Sequence, residues 1–462
     1  MTGSTKFETL PYLLIITRYG GSEILLSSIP ESLPSLDVAS GGRLAEQLVT
    51  ATKQKYRLES YCLWATVRTI LGGDSAPWNY AVMEVLDQNA SAPTGTLWAS
   101  PREALPRVGG ADRGAVCRFL EDLERYAADP ERAPFAKPAW IQELLSWAGA
   151  QVKPFDLRVT GGFWQLNASP TFSLIRLQTN RTAVWFKATG EPHAHELSVS
   201  LALAHLMPEF APRILGVHPR WNGWLSSHVA GKLLREVNDR SAWETAARTL
   251  ARLQIRSLQI GAPIRESGVR DLEIQTLAEQ IEPFLDCVNR LMEAQEQPSP
   301  PPLSKSDLAA IRDQLGEAFE RLGELRAFDC LGRFDLNPGN IIVSGDRAVF
   351  LDWAEAYWGH PFFSFIYLFE NFRRQVCDLS FETALRSSYC EPWQTVCAAE
   401  KVSEALAMAP LLAAFAYTVA GRSWREPEAL RDPRVAGHLR SMTRRMHLEA
   451  KRMARRRETC LS

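Results

Sequence analysis

The chain has 462 residues, more than one ordinary hydrophobic core encloses, so two or three domains are expected. Apolar residues make up 46% and charged residues 23%, the balance of a water-soluble globular protein. A net charge of -1 supplies no global field for nucleic acid or an anionic membrane, and only the C-terminal end is locally basic.

Met1 to Glu8 lacks the basic-then-apolar layout of a signal peptide. None of the eight cysteines forms a C-x-x-C pair, which reads as reduced thiols and a cytoplasmic protein. Residues 1–145 read as a separate α+β domain. Tyr12 to Thr17 and Tyr80 to Leu86 have strand patterns, and Arg43 to Tyr56 and Arg113 to Ala127 have helix patterns. The proline- and charge-rich stretch Ala128 to Pro138 marks a loop near the boundary. Residues 150–231 read as a small strand-rich lobe. It has a hairpin from Phe172 to Ala188 turning at Asn180-Arg181, a helix opened by Pro192, and strands Arg213 to His218 and Gly223 to Val229. Residues 232–462 read as a helical lobe, with helices expected over Ala242 to Leu258, Leu272 to Ala294 and Lys305 to Leu325. The apolar run Ala405 to Val419 contains Pro410 and falls short of the roughly 20 residues of a membrane span, so a buried core helix is expected. Arg434 to Arg457 reads as a basic terminal helix, with Met442, Met446, Leu448 and Met453 packed on the lobe.

The densest chemical signal runs from Leu331 to Trp353. A polar loop holds Asp335 and Asn340, and a short apolar strand follows, Ile341 to Val343. Ser344-Gly345-Asp346 is turn chemistry, and a second apolar strand ends at Asp352. A hairpin of this length returns Asp352 towards Asn340, bringing two carboxylates and one amide together. Such a set suits phosphoryl transfer. Magnesium takes hard oxygen ligands beside phosphates and waters, and a further carboxylate must orient a hydroxyl and accept its proton. Asp335 then reads as the base, with Asn340 and Asp352 as metal ligands. The alternative is that all three cap turns.

Arg333-Phe-Asp-Leu-Asn-Pro-Gly-Asn followed by Phe350-Leu-Asp-Trp-Ala-Glu resembles the catalytic and metal loops of the aminoglycoside phosphotransferase and choline kinase family. Gly359-His-Pro-Phe-Phe is also similar to that family's G-x-P segment, and the resemblance covers roughly residues 155–450. It implies a bilobal protein-kinase-like fold and an ATP- and Mg2+-dependent transfer to a hydroxyl of a small molecule. It also implies a phosphate-gripping lysine and its carboxylate partner, for which Lys187, within Val184-Trp-Phe-Lys-Ala, and Glu196 are the candidates, with Glu191 also near. Ser227, His228 and Val229 would meet the adenine through their backbone. Glu355, Trp358 and Glu370, with Tyr357 and Phe369, are candidates to line an acceptor, and acidic and aromatic groups suit an amine.

Three features depart from the family pattern. Arg333-Phe334 stands where His-Gly is usual, the loop Leu166 to Thr171 has no glycine, and Ser364 stands near an expected aspartate. These departures keep a second reading open, a nucleotide-binding regulator with weak or no turnover. His193 and His195 invite a metal reading, but with no matching cluster nearby they read as surface histidines. The first domain resembles Nudix hydrolases in its order of strand, Gly41-Gly42, helix and strand. Its helix has Thr50-Ala-Thr-Lys-Gln-Lys where those enzymes need metal-binding carboxylates, so a scaffold or recognition role is expected.

Overall fold

The computed structural model describes residues 9–40, 42–70, 77–128, 131, 133–237, 239–325, 328–376 and 379–461. The N-terminal octapeptide, Gly41, Cys377 and part of the 128–138 loop lie outside them. The chain forms two compact units, Met1–Leu197 with Arg213–His228, and Ser198–Pro212 with Val229–Ser462.

The first unit is built on a seven-stranded sheet. Thr9–Arg18 lies at its centre, pairing parallel with Pro77–Val85 and antiparallel with Glu23–Ser28 and Ser35–Ala39. The apolar run in Thr9–Arg18 is buried on both faces. Tyr12, Leu14 and Ile16 pack with Ala45, Leu48 and Tyr56 of helix Leu44–Tyr56. Leu13 and Ile15 belong to the opposite cluster, with Phe119 of helix Gly110–Ala128 and Leu144 of helix Trp140–Val152. Such a continuous run is what two-sided burial selects.

A five-stranded antiparallel sheet completes this unit, in the order Ile214–Val217, Gly223–Ser227, Val184–Ala188, Ser173–Thr179, Val159–Ala168. At its hairpin the Thr179 hydroxyl accepts from the N–H groups of Arg181 and Thr182, as turn chemistry at Asn180-Arg181 requires. The two sheets share one core. Phe186 packs edge-on to Phe135, Trp147 and Trp221 at 5.9–6.1 Å between ring centres. The Gln165 amide donates to the Cys62 carbonyl and accepts from its N–H, both at 2.8 Å, which mimics a strand partner.

The second unit is mainly helical around a single core. Its small sheets position the chemistry. One joins Lys232–Leu233, Ile341–Ser344 and Arg347–Phe350, and the other joins Arg270–Leu272, Ala356–Gly359 and Cys330–Arg333. The continuous helix expected over Leu272 to Ala294 does not form. Leu272 pairs with Gly359 in a parallel strand, and the helical turns divide into Ile274–Ala278 and Ile281–Glu293. Strand pairing to a distant segment overrides the local helical pattern.

Helix Ala399–Ala420 is long and apolar enough to cross a membrane by length and composition, and 72% of its most apolar window is buried inside the protein. The terminal helix Pro433–Leu461 buries Leu439, Met446, Ala450 and Met453, whereas Leu448 is 56% exposed, off the packed stripe expected of it. The fold class is α+β. A five-stranded antiparallel sheet with one helix between its third and fourth strands precedes a helical region, the element order expected of the protein-kinase-like fold.

Candidate active site

Strand Cys330–Arg333 pairs with Ala356–Gly359, setting Gly332 opposite Tyr357. A Cβ at Gly332 would sit 2.2 Å from the Tyr357 ring, so only glycine permits this register. The chain then leaves the sheet with Asp335, makes a single turn over Pro338–Asn340, and enters the hairpin Ile341–Ser344/Arg347–Phe350. Gly345 turns that hairpin at φ +61°.

The hairpin brings the predicted groups together. Asp335 Oδ2 accepts from the Asn340 amide at 2.7 Å, and its Oδ1 accepts from the Asn337 N–H at 3.2 Å. The Leu351 N–H donates to the Asn340 carbonyl at 2.8 Å, which fixes Asp352 one residue beyond that bond. Asp352 holds a left-handed backbone at φ +65°, a conformation that aspartate adopts more readily than most residues. Turn capping is thus present, through the Asn337 N–H, but it does not account for the direct Asp335–Asn340 bond.

Arg333 replaces the expected histidine and is only 1% exposed. Its guanidinium donates to the carbonyl oxygens of both Leu351 and Asp335, and lies 5.0 Å from the centre of the Trp353 ring. One buried cation therefore ties the two carboxylate-bearing loops together through their backbones. Ser364, where an aspartate was expected, accepts from the Arg333 N–H at 2.9 Å and shares a 2.8 Å bond with the Tyr357 hydroxyl. Phe334 fills the space beneath, 4.6 Å from Tyr357 and 5.4 Å from Tyr417 between ring centres.

Lys187 and Glu196, in the first unit, form an ion pair at 2.5 Å with side chains 13% and 1% exposed. Glu196, rather than Glu191, is the lysine's partner. The glycine-free stretch near Leu166 to Thr171 closes as a serine turn, in which Ser169 Oγ accepts from the N–H groups of Thr171 and Phe172. The Ser227 N–H is already engaged by the Arg213 carbonyl at 2.9 Å. His228 Nδ1 accepts from the Trp185 indole at 3.3 Å, and Val229 follows the strand. Burial, and then the charge of Arg176, pulls the His228 imidazole below its usual pKa. His193 and His195 stand 6.4 Å apart, and no group of three or more His, Cys, Asp or Glu side chains suited to a metal occurs among the described residues.

Residues 196–396 match the model of the phosphotransferase enzyme family, APH. No curated protein matches the chain. Among solved structures it is similar to an ethanolamine kinase of Plasmodium vivax, at 15% identity over 72% of this chain and 94% of that one, with a TM-score of 0.45. It is also similar to an aminoglycoside phosphotransferase proposed for Ralstonia eutropha (15% identity, 68% and 98% coverage, TM-score 0.42) and to the choline kinase LicA of Streptococcus pneumoniae (14%, 66% and 99%, 0.40).

Within the matched segment the three acceptor candidates part company. Trp358 is 7% exposed, packed against Gly261 in the core. Glu370 is engaged by Arg445 and by Arg374 at 3.4 Å. Glu355 alone stands beside the loop. Burial raises its carboxyl pKa, the charge of Asp335 adds to this, Arg270 and Arg333 oppose it, and Asp352 adds a little more. The sequence reading missed Arg270 and Tyr417. Each stands near Glu355 but comes from a distant segment, and no local pattern marks either.

Proposed function

We infer that the protein is a small-molecule kinase that transfers the γ-phosphoryl group of ATP to an acceptor hydroxyl. The observation that carries this is the direct Asp335–Asn340 bond, with Asp352 tethered to the same turn. Asp335 Oδ1 or Oδ2 orients the hydroxyl and takes its proton as the acceptor oxygen attacks phosphorus. The donor set fits magnesium. Asn340 gives its amide nitrogen to Asp335, so its amide oxygen and the Asp352 carboxylate are the hard oxygen groups that would hold the metal. When bound, the metal neutralises phosphate charge. Lys187, held by Glu196, grips phosphate, and the backbone from Ser227 to Val229 meets the base. Arg333 supports the reading despite the lost histidine, because it positions both loops through their carbonyls. Glu355 suits an amine-bearing acceptor.

The test is ATP turnover on amino alcohols, sugars and aminoglycosides, wild type against Asp335→Ala. Removing a general base lowers turnover by about 10²- to 10⁴-fold. ATP binding without turnover on any acceptor would instead leave a nucleotide-binding regulator.

A further inference from the structure

Beside Asp335 lies a charged cluster of which the proposed transfer uses only Glu355. Arg270 opens strand Arg270–Leu272 directly opposite Tyr357, and Glu355 lies two residues before Tyr357. Glu355 sits in the turn that leads into the partner strand, its carbonyl accepting from the Phe334 N–H at 3.3 Å, so the segments carrying Arg270, Glu355 and Asp335 adjoin one another. Yet neither makes a hydrogen bond or ion pair through its side chain among the described residues.

Both groups are half-buried, and each feels the other's charge. Burial pulls the Arg270 guanidinium down, Glu355 opposes this, and Arg422 beside it repels it. Burial raises the Tyr417 phenol, the charges of Glu355 and Asp335 add to this, and that of Arg270 opposes it. The Tyr417 ring is 5.4 Å from Phe334 and 5.3 Å from Tyr367, which makes an aromatic wall.

A purely structural arrangement would close the Arg270–Glu355 pair, since an unpaired half-buried charge costs free energy. Two opposite charges held near each other without touching match a ligand that carries both. We propose that the acceptor is a small hydroxylated zwitterion, whose acid group is held by Arg270 and Arg422 and whose ammonium is held by Glu355 against the Tyr417 wall, placing its hydroxyl at Asp335. This rests on the phosphotransferase reading. The acceptor oxygen bonds the γ-phosphorus, the bond from that phosphorus to the β–γ bridging oxygen breaks, ADP leaves with that electron pair, and the hydroxyl proton passes to the Asp335 carboxylate. Arg270 is then the specificity determinant, separating hydroxy amino acids from amino alcohols of the same skeleton.

The experiment pairs L-serine, L-threonine and L-homoserine with their decarboxylated amino alcohols. It measures calorimetric binding and, with ATP and magnesium, turnover. At least one hydroxy amino acid should bind and turn over, and Arg270→Ala should raise its KM about 100-fold, the worth of a lost charged contact. The amino alcohol should be unaffected by that change, and Arg270→Lys should restore part of the loss. Because the Arg270 side chain makes no hydrogen bond, its truncation orphans no partner, and a thermal melt checks the fold. Equal use of both members of every pair with Arg270→Ala neutral, or no binding of any zwitterion to the wild type, overturns the proposal. In either case Asp335-dependent turnover of another acceptor would leave the phosphotransferase reading standing. Conversely, Arg270-dependent binding of a zwitterion without turnover on any acceptor would sink that reading while upholding the binding site.

Discussion

Buried acids in the seven-stranded sheet differ from the acids around Asp335. Glu84, 1% exposed, accepts from the Tyr61 hydroxyl and from the Ala139 N–H at 2.7 Å. Asp122, 2% exposed, accepts from Tyr80 at 2.6 Å and pairs with Arg125 at 2.7 Å. Arg125 lies on Asp122's own helix, but Tyr61, Ala139 and Tyr80 come from other elements, so these acids lock helices onto the sheet. Asp335 is only half-buried and takes its donors from its own turn, while Glu355 has burial and neighbouring charge but no hydrogen bond. An acid enclosed by donors does structural work, whereas an acid left short of them is poised for a ligand.

The Lys187–Glu196 pair tests the boundary between these classes most severely. Lys187→Ala strips the ion-pair partner from the buried Glu196 carboxylate and should cost about 3–5 kcal/mol in denaturant unfolding. The double change Lys187→Met with Glu196→Leu should recover most of that loss without restoring ATP affinity. Recovery of both would class the pair with the structural acids. Next in size is Arg333→Met, which removes charged bonds worth about 1.5–3 kcal/mol each. It should lower both the melting temperature and turnover, and a stability loss with full activity would contradict the clamp. Tyr61→Phe takes one of the Glu84 donors and should cost about 1–3 kcal/mol while turnover stays at the wild-type value.

The last test is a pH dependence. Burial pushes the Asp329 carboxyl up to about 7, the Ile274 N–H opposes this, and Glu273 and Asp271 add to it. Its folded pKa lies above the unfolded value of about 3.9. The stability it contributes is therefore fully present below about pH 4 and lost as pH rises through about 7. Unfolding curves of wild type and Asp329→Asn at pH 5 and pH 8 should show the wild type gaining relative stability at the lower pH. Parallel curves would remove Asp329 from this account.

Much of the site was legible because its information is local. Asp335, Asn340 and Asp352 sit on one turn and one hairpin, and a short hairpin has few ways to close, so spacing alone brings them together. The run Tyr12 to Thr17 likewise read as a strand, and the structure buries it on both faces. The replacement of histidine by Arg333 read as a defect. Its compensation depends on the Leu351 and Asp335 carbonyls, which become acceptors only once the loops are folded.

Sequence alone determined the elements whose partners lie within a few residues and the oxygen groups carried on one turn. Tertiary structure decided that Leu272 belongs to a strand rather than a helix, that Trp358 and Glu370 are already engaged, and that the segments carrying Arg270, Glu355 and Tyr417 meet around Phe334 and Tyr357. The reason is physical. Pairing across 80 or more residues is set by competition among distant segments for burial and hydrogen bonds, and no local periodicity records who wins.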